Sequence, residues 1–348
     1  MALPDPNAPP ESVILKNFKG LRNNVRPERL ALNEFVTAQN VDIDDAEQVS
    51  RRRGYVRKIT GNFHSIYTAL SGIVYAVKDE VFGIVNANYT FRALQTGAGT
   101  RHFGYVEIAD TLYLSSPTNS YQLDMPSEVV TPWGALVSEG LWYSPVAIPT
   151  DTLGKVAGKL LGAPPNGEYL CGHNGRIYVA YGRTVWATEL YLYNYVDKTR
   201  TFLHFENDVG GIVDVADGIF VGTSKGVYFL SGEFGAMQRR MVSPSPMVPG
   251  SMVAISGEDI PAEAAGGAKR GVLMMTANGV CVGLDGGGFV NLSGDKFWFP
   301  EAVSAKAMLR AADGITQYVG VTDSGGDPVN TARIGDYVAA EIVRFTGA

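Results

Sequence analysis

A chain of 348 residues with 45% hydrophobic and 18% charged residues is long enough to bury a sizeable core. Its formal charge of −6 argues against a protein that grips nucleic acid by neutralising phosphates. No apolar run approaches the ~18 residues of a membrane span, and the opening MALPDPNAPPES has neither a basic nor an apolar signal region, so no membrane span or secretion signal is expected.

In chain order, residues 1–58 read as an N-terminal arm with an opening strand. Pro, Asp and Glu dominate the first dozen positions, a composition that buries little apolar surface. SVILKNF, 12–18, alternates well enough for a short strand, and Leu30, Leu32, Phe35 and Val36 anchor the polar stretch after it. Between Lys16 and Lys58 lie ten Lys or Arg against six Asp or Glu, so the remainder of the chain is acidic. Arg51, Arg52 and Arg53 form the tight basic run, read as a solvated strand edge or a patch for a partner's carboxylates.

From Ile59 to the C-terminus one pattern recurs. It is clearest in IVDVADGIFVGTSKGVYFLSG, 212–232, where Asp217-Gly218 and Ser224-Lys225-Gly226 interrupt three β-forming runs. An Asp-Gly between β-formers is a strong hairpin signal, because a type I′ turn needs positive φ at both central residues. VLMMTANGVCVGLDGGGFVNLSG, 272–294, repeats the phrase, aligned on Asn278-Gly279. Weaker copies centre on Ser71-Gly72, Asp110-Thr111, Asn174-Gly175 and Asp313-Gly314. About six such units, spaced by roughly 35 to 60 residues, point to a propeller, whose closure removes exposed sheet edges. The expected fold is all-β: a β-propeller of about six antiparallel blades over 59–348, with two long irregular insertions at about 125–168 and 233–270.

The first insertion carries Trp133, Trp142 and Tyr143 among prolines and glycines, a composition suited to a protein interface or to packing over the propeller's own face. In TELYLYNYV, alternation would put Tyr191, Tyr193 and Tyr195 on one face of an extended segment. These six aromatics and Arg51, Arg52 and Arg53 are the candidate protein–protein contacts. Cys171 and Cys281 fall on strand positions of different repeats and read as separate buried thiols. The C-terminal ARIGDYVAAEIVRF reads as a closing strand.

The chain shows no constellation that asks to be catalytic. His64, His102, His173 and His204 have no metal-ligand spacing, no G-x-S-x-G elbow is present, and Asp285-Gly286-Gly287-Gly288 lacks the Lys-Ser or Lys-Thr of a phosphate loop. Asp110, Asp217 and Asp313 occupy hairpin turns, where an Asp side chain commonly caps its own backbone. No catalytic residue, metal or cofactor is expected.

Four phrases carry a resemblance: Asn17-Phe18-Lys19-Gly20, Pro27 to Leu30, Ala38 to Asp42, and Arg52-Arg53-Gly54-Tyr55. Together with GRIYVAYGRTVWATELYLYNY and GDYVAAEIVR, the chain resembles the tail nozzle, tail tubular and packaged-DNA stabilisation proteins of tailed bacteriophages. Leu21 stands where that family tends to have a second glycine. The resemblance implies a structural virion protein, assembled in the host cytoplasm as a ring, expected to be a hexamer, at or below the head-to-tail junction. Its implied partners are the portal-side adaptor, other tail proteins or fibres, and genomic DNA passing without sequence-specific contact, for which an acidic balance would lower friction. The alternatives are a propeller glycan hydrolase or lyase and a receptor-binding propeller.

Overall fold

The computed structural model describes residues 17–22, 24–35, 41–43, 49–51, 56–134, 155–156, 159–260, 266–293, 296, 298–299, 302–312, 315–323, 337–339 and 343–345. Six antiparallel sheets of four strands follow one another along the chain. The first contains Phe63–Thr68, Val74–Lys78, Val81–Val85 and Phe91–Gln95. The second contains Gly104–Ile108, Thr111–Ser115, Ser120–Asp124 and Val129–Pro132. The third contains Tyr169–His173, Arg176–Tyr181, Thr184–Ala187 and Phe202–His204. The fourth contains Val209–Val215, Gly218–Thr223, Gly226–Ser231 and Gln238–Ser243. The fifth contains Val253–Ser256, Arg270–Thr276, Gly279–Leu284 and Gly288–Asn291. In the sixth, Ser304–Ala312 pairs with Ile315–Asp323, and Tyr337–Ala339 and Val343–Phe345 both add to the latter's far edge. The fold is a β-propeller, and the C-terminal strand expectation holds as two short strands.

Five hydrophobic clusters sit between successive sheets. Tyr75, Val77 and Phe82 meet Phe103, Leu112 and Leu114 across the first boundary. Val106 and Tyr113 meet Ile177 and Val179 across the second, and Tyr178 and Val185 meet Ile212 and Ile219 across the third. Phe220 and Phe229 meet Val272 and Met274 across the fourth, and Leu273 and Val282 meet Ala305 and Tyr318 across the fifth. Strand alternation explains this: each sheet turns one set of side chains to the sheet before it and the other set to the sheet after. Among the described residues no such cluster joins the sixth sheet to the first. Ile66 alternates with the cluster residue Tyr67 and is 66% exposed, and Met308 alternates with Ala307 and Leu309 and is 58% exposed.

Both expected insertions shrink. Val129–Pro132 is the fourth strand of the second sheet, so residues 125–134 belong to a blade. Residues 233–270 supply Gln238–Ser243 and Val253–Ser256, with Met247 and Val248 buried between them. Prolines obscured this stretch, yet Pro244, Pro246 and Pro249 all fall in the connection between its two strands, where no ladder N–H is needed. SVILKNF lies mainly outside the described residues, as does Asp313.

The hairpin between Val215 and Gly218 is also shifted from expectation. Its loop residues are Ala216 and Asp217, while Gly218 pairs with Val215 inside the strands. A Cβ on Gly218 would stand 2.4 Å from the Leu230 carbonyl, so this glycine serves close packing rather than a positive φ. Left-handed pairs appear instead at Asp79 and Glu80, with φ of 48° and 66° between Lys78 and Val81, and at Asn174 and Gly175, with φ of 46° and 71° between His173 and Arg176. Cys171 and Cys281 are free, buried thiols.

Candidate functional site

The first strand of each sheet is the inner one. The inner ends of five sheets line a single cavity of about 200 Å³: Gly104 with the preceding His102, Glu168 to Leu170, Gly211 to Val213, Gly250 and Met252, and Lys306 with Ala307. Glycines let these strands converge. A Cβ on Gly104 would lie 2.6 Å from the Glu168 carbonyl, and Gly250, at φ 78°, would place one 2.4 Å from the Ala305 carbonyl. The Lys306 Nζ stands 3.4 Å from that same position beside Gly250, in space a larger residue would take.

The charged lining is one ammonium, Lys306, and one carboxylate, Glu168. Lys306 makes no ion pair or hydrogen bond among the described residues. Surrounding protein lowers its pKa by desolvation, and Glu168 offsets this only in part. His102 is pushed down to about 3, first by desolvation and then by the charges of Lys306 and His64, so its imidazole is neutral near pH 7. Its Nδ1 is buried without a hydrogen-bond partner. Burial raises the Tyr169 phenol, and Glu168 raises it further, while Arg101 acts in the opposite direction. His64 in the first sheet is lowered first by desolvation, with a Gly99 backbone hydrogen bond opposing and the Lys306 charge adding to it.

A second polar group lies at the far ends of the inner strands. His173 is 7% exposed and its Nε2 has no hydrogen-bond partner. Arg270 donates to Asp214 at 3.2 Å, and burial raises the Asp214 carboxyl. Asp217 accepts from the Gly286 N–H at 2.9 Å, and Asp285 accepts from the N–H groups of Ala216, Lys269 and Arg270 at 2.8, 2.8 and 3.1 Å. Asp217 therefore ties its turn to the next sheet instead of capping its own backbone, and the Asp285–Gly288 run is the other half of that tie. Among the described residues no group of His, Cys, Asp and Glu has the geometry to hold a metal ion.

The candidate contact residues do not converge. Trp133 is 4% exposed, packs at 5.4 Å from Tyr113, and donates its indole N–H to the Tyr193 carbonyl at 3.0 Å. It covers the propeller's own interior and presents nothing to a partner. Tyr191, Tyr193 and Tyr195 share no extended face. Their segment is a compact turn in which Tyr191, at φ 57°, donates to the Gly175 carbonyl and Tyr195 to that of Leu192. Tyr191 is 71% exposed, whereas the Tyr193 ring packs 5.9 Å from that of Tyr113 at a tilt of 60°. Arg51 is exposed on the short strand Val49–Arg51. Arg52, Arg53, Trp142 and Tyr143 lie outside the described residues.

No family model and no curated protein matches the chain. Similar solved structures include the extracellular domain of the hybrid two component system BT4673 from B. thetaiotaomicron, at 11% identity and TM-score 0.48. That match covers 82% of this chain and 33% of that one, so the chain spans about a third of its length. BBS1N in complex with ARL6DN matches at 12% identity and TM-score 0.42, over 82% and 84% of the two chains. The N-terminal domain of Nup159 matches at 9% identity and TM-score 0.40, over 72% and 70%.

Proposed function

We propose that the chain is a non-enzymatic structural subunit of a bacteriophage tail, assembling with copies of itself into a ring around the path of the exiting DNA. The observation that carries this reading is the small unit made by the N-terminal family-like phrases. Gly20–Leu21 pairs in parallel with Glu34–Phe35, Phe18 stacks on Phe35 at 5.1 Å, and Pro27–Arg29 forms the 3-10 turn between them. Arg22 and Glu34 bond across the pair at 3.2 Å, and Lys296, ahead of the sixth sheet, donates to the Lys19 carbonyl at 3.4 Å. The first two of those phrases thus form one small unit outside the six sheets, tied by Lys296 to the segment between the fifth and sixth sheets, while Ala38–Asp42 and Arg52–Tyr55 lie largely outside the described residues. A separate small unit outside the propeller sheets suits contact with a neighbouring copy or an adaptor.

Light scattering and negative-stain microscopy of the purified protein, with immunolabelling of virions, test the reading. Rings, or label confined to the tail vertex, are expected. A strict monomer absent from particles would overturn it.

A further inference from the structure

We infer that the edge of the sixth sheet is a docking surface for the chain's own segment Ser12–Lys16, which adds antiparallel along Tyr337–Ala339 as the outermost strand. The inference stands apart from the tail assignment and rests on an open edge, an anchor beside it and a fitting stretch of sequence. The first five sheets are each four strands deep. In the sixth, Tyr337–Ala339 pairs with Val321 to Asp323, and Val343–Phe345 pairs with Thr316 to Tyr318. Both lie along the same strand, so together they fill only the third position. A strand bonded on one side still carries N–H and C=O groups on the other, and among the described residues no strand meets those of Tyr337–Ala339. Such a row is a template for another extended segment.

The anchor brings the N-terminal part of the chain to this sheet. Lys296 donates to the Lys19 carbonyl at 3.4 Å. The connection that carries Lys296 passes Phe299, whose N–H reaches the Ala277 carbonyl at 2.9 Å, and arrives at Val303, whose N–H reaches the Asp323 carbonyl at 2.8 Å. Asp323 stands opposite Tyr337, so the connection that holds Lys19 ends where the open strand begins. A segment that lies on that edge and finishes at Asn17 runs against the direction of Tyr337–Ala339, as antiparallel pairing requires. Sequence sets its length. Pro9 and Pro10 lack the N–H that a ladder needs, and Asn17, at φ 59°, leaves the extended path. Between them, alternation puts Val13 and Leu15 on one face and Ile14 and Lys16 on the other. Residues 12–16 extended span about 17 Å, enough to cover the three residues of Tyr337–Ala339. The stretch 324–336 is less suited, because Gly325, Gly326 and Pro328 weaken a strand.

The test is hydrogen exchange of the full chain, followed by mass spectrometry over a range of protein concentrations. The Val13 to Leu15 amides should exchange at least about tenfold slower than in an unfolded peptide of the same sequence, and equally so at every concentration. Ile14→Pro removes a ladder N–H. It should abolish that protection and speed exchange at Tyr337–Ala339, leaving the strands around Phe220 unchanged. Ala8→Pro, ahead of the segment, should alter neither. Unprotected Val13 to Leu15 amides, or exchange at Tyr337–Ala339 indifferent to Ile14→Pro, overturn the inference. Protection that appears only as concentration rises overturns it too, since a second copy would then supply the strand. Should Ile14→Pro fail to fold, a nitroxide on Lys16→Cys decides: the amide resonances of Tyr337–Ala339 should broaden, and sharp ones overturn the inference equally.

Discussion

The boundary between the fourth and fifth sheets and the boundary between the sixth and first are made from the same kind of strand, yet among the described residues they differ in what holds two sheets together. At the former, Phe220, Phe229, Met247, Val272 and Met274 fill the gap. Asp217 and Asp285 then reach across in opposite directions to each other's turns, and Arg240 donates to the Gly286 and Gly287 carbonyls. At the latter, Ile66 and Met308 stand largely in solvent and no buried cluster forms among the described residues. Strand pairing builds a sheet, but adhesion between sheets depends on side-chain volume and on polar groups that cross.

That contrast makes graded predictions. The largest effect is expected from Phe220→Ala, which empties a fully buried site at the fourth boundary and should cost about 3–5 kcal/mol in urea unfolding. A loss below about 1 kcal/mol would mean that the boundary relaxes freely and would erase the contrast.

Acid should act on the cavity side. Because the folded His102 pKa is about 3 against an ordinary 6.5, the unfolded chain takes up a proton first as pH falls. Stability is therefore whole above 6.5 and declines toward 3, at about 1.4 kcal/mol per pH unit for one proton. His102→Gln should flatten the pH dependence of the urea midpoint by that one proton. An unchanged slope would place the acid sensitivity elsewhere.

Asp285→Ala removes the acceptor of three backbone N–H groups, and should cost about 1–2 kcal/mol with faster hydrogen exchange at Ala216 and Lys269. Ile66→Ser and Met308→Ser should each stay within about 0.5 kcal/mol. A loss of about 2 kcal/mol at either would show that the seam is filled in solution and would break the comparison.

The repeats were legible because hairpins are local. Asp217-Gly218 and Asn278-Gly279 marked strand ends to within a residue, and alternation around them gave the meanders. What escaped is what depends on distance along the chain. Trp133 reads as an interface aromatic until the strand Val129–Pro132 pairs with Ser120–Asp124 and carries it inward. The Tyr191 turn is set by the Gly175 carbonyl, a partner outside its own segment. Lys306, His102 and Glu168 share no spacing at all. Each merely stands near the start of the first strand of its own repeat, and aligning the repeats on that position is the signal that would have gathered them.

A boundary without a buried cluster among the described residues also gives the ring of sheets two weakly joined ends. Each sheet then leans mainly on its sequence neighbours, as in a linear stack, and opening of one end sheet leaves the four interior boundaries intact. Amide exchange should accordingly run as a gradient, slowest through the strands around Phe220 and Met274 and quickest in the first and sixth sheets. The sixth of these sheets also carries Lys306 and Ala307, so its loosening would reshape one wall of the inner cavity.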